Sequence, residues 1–131
     1  MNRTTAAIVA ALLAIPVPAY AGDPVRFDFA ASIKMLDGTV MRIGDAEKGK
    51  ALTLADVAEN ALLADYKDEP NLDGVEKLRR WTLARKIEDT KLSVSLNADE
   101  IALIKRLVGK AYNALVYAEM VQAIDPASLP K

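Results

Sequence analysis

Apolar and charged residues alternate through Val25, Arg26, Phe27, Asp28 and Phe29, the period-two pattern of a half-buried strand. Two more short apolar runs, residues 33–36 and 39–43, flank Asp37-Gly38. A type I′ turn needs positive φ at both central residues, so Asp-Gly between such runs predicts a β-hairpin. Residues 44–50 are polar and glycine-bearing, which predicts a loop. After Thr53 the period changes: Leu54, Val57, Ala58, Ala61 and Leu62 fall on one helical face, widened by Leu63. Thr53 and Asp56 stand three apart as a capping pair, and the helix is expected to end near Ala64 or Asp65.

Residues 65–74 are acidic and contain Pro70, which interrupts any helix. Asp73 and Glu76 form a second capping pair, predicting a helix to about Glu88. Its residues Leu78, Trp81, Leu83, Ala84 and Ile87 make a broad apolar stripe, with Arg79, Thr82 and Lys86 expected in water. Leu92, Val94 and Leu96 alternate with Ser93 and Ser95 as another short strand. Asn97 and Glu100 then box the start of a third helix, with Leu96 and Ile101 at the positions of a hydrophobic staple. Ile101, Ile104, Leu107 and Val108 supply its buried face. Gly109 ends or kinks it, helix continues over 111–124 with Leu115, Val116 and Val121 inward, and Asp125-Pro126 stops it before a frayed tail. The expected fold is α+β and mainly helical: an N-terminal β-hairpin followed by three or four packed helices.

Composition narrows the chemistry more than the fold. The 131 residues suit one small domain, and 52% hydrophobic content with 27% charge is globular, far from the composition of disorder. Net charge is −1, so no overall field recruits nucleic acid or anionic lipid. Cysteine is absent, which removes disulfides, thiol nucleophiles and thiolate metal sites. Histidine is absent too, and with it the commonest general base and metal ligand.

Residues 1–21 have the layout of a secretory signal peptide: Arg3, an apolar run over 6–15, helix-breaking Pro16 and Pro18, then Ala19-Tyr20-Ala21 for cleavage. The run falls short of the roughly 20 apolar residues that span a bilayer, so no stable membrane insertion is expected. Residues 22–131 would then be a single small, mainly helical domain, periplasmic or secreted. The rival reading is a true start at Val25, where the strand begins; the preceding Ala21-Gly22-Asp23-Pro24 permits codons containing a ribosome-binding sequence. The protein would then be cytoplasmic.

With Gly74 at the sixth position of a calcium loop, Glu69, Asn71 and Asp73 take positions one, three and five, but the twelfth is Arg80, which repels the ion. Ser128 and Lys131 match the bare spacing of a serine–lysine nucleophile, yet Pro130 lies between them. Asp65, Asp68, Glu69 and Asp89 offer carboxylates for hydrolysis without a flanking aromatic platform, and read as solvated charge. Gly38, Gly44 and Gly49 lack the spacing of a phosphate loop. Lys77, Arg79, Arg80, Arg85 and Lys86 spread around the second helix instead of forming a nucleic-acid stripe. No catalytic residue, metal ligand or cofactor site follows. Trp81 is expected in the core, with Arg85 one turn on, where it could stack on the indole. If a partner surface exists, Arg80, Trp81 and Arg85, with Tyr66 nearby, are its candidates.

Several segments resemble small phage- and prophage-encoded proteins of unassigned function. They are Met35-Leu36-Asp37-Gly38, Leu52-Thr53-Leu54-Ala55-Asp56-Val57 and Asn60-Ala61-Leu62-Leu63, then Glu76-Lys77-Leu78-Arg79-Arg80 and Leu83-Ala84-Arg85-Lys86-Ile87. Glu100-Ile101-Ala102-Leu103-Ile104-Lys105 and Gly109-Lys110-Ala111-Tyr112 complete the set. The resemblance covers about residues 25–124 and rests on helix-packing patterns; it implies no catalytic residue and no cofactor. Such proteins begin near Val25, which favours the late start. The expected function is a non-enzymatic, protein-binding accessory module of prophage origin. The alternatives are a phage virion or tail-assembly component and, behind it, a carboxylate-based hydrolase.

Overall fold

In the computed structural model, which describes residues 25–45 and 47–131, short strands frame four α-helices. The expected signal peptide over 1–21 lies outside the described residues. In chain order the elements are β1 (Val25–Phe27), β2 (Arg42–Ile43), β3 (Lys50–Ala51), α1 (Leu54–Leu63), α2 (Gly74–Asp89), β4 (Val94–Leu96), α3 (Ala98–Ala111) and α4 (Ala114–Ile124). A 3₁₀ turn at Pro126–Ser128 follows. The arrangement is α+β and mainly helical.

β1 pairs antiparallel with β4, Val25 opposite Leu96 and Phe27 opposite Val94. Val94 and Leu96 are buried and Ser95 is not, as the alternation predicts. Phe29, just past β1, is fully buried; its N–H donates to the Lys91 carbonyl at 2.7 Å and its carbonyl accepts from the Ala55 N–H at 2.9 Å. One aromatic residue thus ties the strand pair to the start of α1.

The hairpin forms at the predicted place with different turn chemistry. The Gly38 N–H donates to the Met35 carbonyl at 2.9 Å, and the Met35 N–H to the Thr39 carbonyl at 2.7 Å. Gly38 has φ of +90°, while no non-glycine residue among those described has positive φ. The turn is therefore a three-residue loop closed by a left-handed glycine, not a type I′ pair. Asp37 serves through its side chain, accepting from the Thr39 N–H at 2.9 Å and the Thr39 hydroxyl at 2.7 Å. Those bonds hold its carboxyl below the usual range. Ile33, Met41 and Leu52 then close a ring of three backbone hydrogen bonds, and Ile33 and Leu52 enter the core.

Two of the three predicted capping pairs form. Thr53 accepts from the Asp56 N–H while Asp56 accepts from the Thr53 N–H, each at 3.1 Å. Asn97 and Glu100 do the same at 2.8 and 2.9 Å. The Glu100 carboxylate also takes Lys86 Nζ at 2.9 Å, joining the start of α3 to α2. Removing the Asn97 cap with Asn97→Ala is expected to cost about 1 kcal/mol, read as a lower urea midpoint with unchanged slope. At α2 the expected cap is missing: Asp73 occupies the N-cap position but makes no side-chain bond there.

The helix expected to continue from Ala111 is interrupted. Gly109 stays helical, and the chain breaks at Tyr112 and Asn113, both extended; the Asn113 side chain accepts from the Val116 N–H at 3.1 Å to start α4. α4 then folds back so that the Tyr117 ring lies against Gly109, where an added Cβ would stand 3.3 Å from it. The glycine serves a close approach. The tail is tied down as well: Asp125 accepts from Lys105 Nζ and from the Ser128 hydroxyl, each at 2.6 Å. α1 packs on α2 and α3, and α3 on α4, around a core that includes Phe29, Ile33, Ile87, Ile104, Leu107 and Met120.

Candidate partner-docking surface

The buried face of α2 is Arg80, Leu83, Ala84 and Ile87, spaced i, i+3, i+4, i+7 as on any core-facing helix. Its first member is an arginine, only 2% exposed. The expected apolar stripe is therefore split: Leu83, Ala84 and Ile87 point inward, whereas Leu78 (65% exposed) and Trp81 (54%) face out, alongside Val75 (74%). Trp81 is not a core residue, and Arg80 is not a surface one.

Arg80 is held by ionic partners that satisfy its buried charge. Nη1 and Nη2 donate to the two Glu69 oxygens at 2.9 and 2.8 Å, a bidentate pair, and Nε donates to Glu76 at 3.1 Å. Glu69 also meets Arg106 at 3.4 Å and Lys110 at 3.7 Å, and Lys110 meets Asp68 at 2.8 Å. The Arg80 hydrogen bonds push the Glu69 carboxyl down to about 2 and raise Arg80 itself. Glu69 was expected as solvated charge; it is instead the hub of a clamp joining the acidic connection to α2 and α3.

Tyr66 belongs to the same clamp. It is half-buried, its hydroxyl donates to the Ala61 carbonyl at 2.5 Å and lies 3.4 Å from that of Leu107, and Lys110 Nζ sits 5.2 Å from its ring centre. Burial raises its pKa. Arg85 is exposed and pairs with Asp89 at 3.5 Å, one turn beyond the indole on which stacking was expected. Of the four candidates, Trp81 is at the surface, Arg85 flanks it, and Arg80 and Tyr66 are supporting structure.

Beside Trp81 a cleft of about 460 Å³ opens between the end of α1 and the start of α2. Its apolar walls are Leu62, Leu63, Leu72, Leu78 and Trp81; Asp65 and Lys77 add one charge of each sign, and Arg80 lies in the floor. Leu63, at 57% exposed, and Val75 extend the apolar area. Sequence reasoning missed Leu63 and Val75 as exposed residues and Leu72 as a half-buried wall of the cleft. The spacing Val75, Leu78, Trp81 was visible as a second stripe, but it stands out only once Arg80 is placed inside.

Two further basic residues of α2 are paired, Arg79 with Glu76 at 3.2 Å and Lys86 with Glu100 at 2.9 Å. Among the described residues no group of three or more acids is placed to hold a metal. No described helix is long and apolar enough to cross a membrane. Set against models of known families, curated proteins and solved structures, the chain matches none of them.

Proposed function

We propose that this chain is a non-enzymatic accessory module, of prophage origin, that binds another protein through the Trp81 cleft. One observation carries the reading: Leu63, Leu78 and Trp81, each more than half exposed, line one open cleft together with a buried, ion-paired arginine. Clustered apolar side chains of this size gain free energy when a partner covers them, and tryptophan dominates such contacts. The clamp through Arg80 and Glu69 fixes the cleft beforehand, so little ordering cost falls on binding. The prophage origin rests on the resemblance over residues 25–124, and export on the layout of residues 1–21. N-terminal sequencing of the protein from its host distinguishes cleavage after Ala21 from a start at Val25.

The docking reading is tested by comparing proteins captured from the host by the parent chain and by Trp81→Ala. The variant is expected to bind at least about tenfold more weakly, while its far-UV circular dichroism and urea midpoint stay close to the parent's, because the indole is half exposed. An identical set of captured proteins at unchanged affinity would discard this surface.

A further inference from the structure

We draw no further inference here: the strongest candidate, the apolar cleft walled by Leu62, Leu63, Leu78 and Trp81 between the end of α1 and the start of α2, belongs to the docking surface already described, and nothing in the structure shows what covers it.

Discussion

Arg80→Ala is expected to lower the free energy of unfolding by about 3–5 kcal/mol, the cost of removing one partner from a buried ion pair. The reason is what remains behind. Glu69 loses both hydrogen bonds of its bidentate pair, Glu76 loses a third, and a cavity opens where the guanidinium lay. Arg80→Lys is expected to fall between, since one ammonium cannot reproduce the planar fork that spans Glu69. Replacing all three residues together, Arg80→Met with Glu69→Gln and Glu76→Gln, should recover much of the loss, because no unpaired charge is left inside. Urea unfolding at neutral pH measures all three. The same clamp has an acid limit. The Glu69 carboxyl is near 2 when folded against 4.5 otherwise, so its contribution is complete above about 4.5 and fades as pH falls towards 2. Arg80→Ala should flatten that part of the pH profile. A loss below about 1 kcal/mol would mean that Arg80 does not hold the connection in place.

Features decided within a few residues were legible in the sequence. Both capping boxes needed only Thr53 with Asp56 and Asn97 with Glu100, and both helices start where those pairs put them. The hairpin position was legible from Asp37-Gly38, but its turn type was not, because Asp37 acts by accepting hydrogen bonds from Thr39. The pairing of β1 with β4 joins residues on either side of three predicted elements, and no local pattern specifies it. The break at Tyr112 and Asn113 was hidden by Gly109, which looked like a helix end but answers to the Tyr117 ring. At the candidate surface, residue type singled out Trp81 and Arg80, but their orientation was inverted. A binary pattern puts tryptophan inside and arginine outside; here Glu69, eleven positions away, makes the buried arginine tolerable and turns the indole out. Ion pairing at that distance overrode hydrophobic order, and sequence periodicity carries no trace of it.

Glu59 supplies the opposite electrostatic effect on the same pair of helices. It projects from α1, and its Oε2 atom is buried without a hydrogen-bond partner. Burial pushes its carboxyl up to about 7; the neighbouring Glu88 on α2 adds to this by sharing a hydrogen bond and by repulsion, as does Asp56, while Lys91 pulls the other way. Glu88 itself is lowered, chiefly by Lys91 at 3.1 Å, so the shared proton resides on Glu59. The folded value lies above the ordinary 4.5, so the native state holds a proton that the unfolded chain releases. Stability is then highest below about 4.5, declines as pH rises towards about 7, and declines no further beyond it. The expected drop is about 2 kcal/mol, less than the full shift implies, because part of the side chain reaches solvent. Glu59→Gln keeps the shape, carries no charge, and can donate its amide N–H to Glu88. It is expected to remove the decline and to leave the variant about 1–2 kcal/mol more stable than the parent at pH 8. Because the Glu69 clamp weakens only below 4.5 and the Glu59 penalty grows only above it, unfolding free energy should peak between the two, on the acidic side of neutrality. Urea titrations at a series of pH values trace both limbs. If the alkaline-side decline survives unchanged in Glu59→Gln, the proton is not held between α1 and α2.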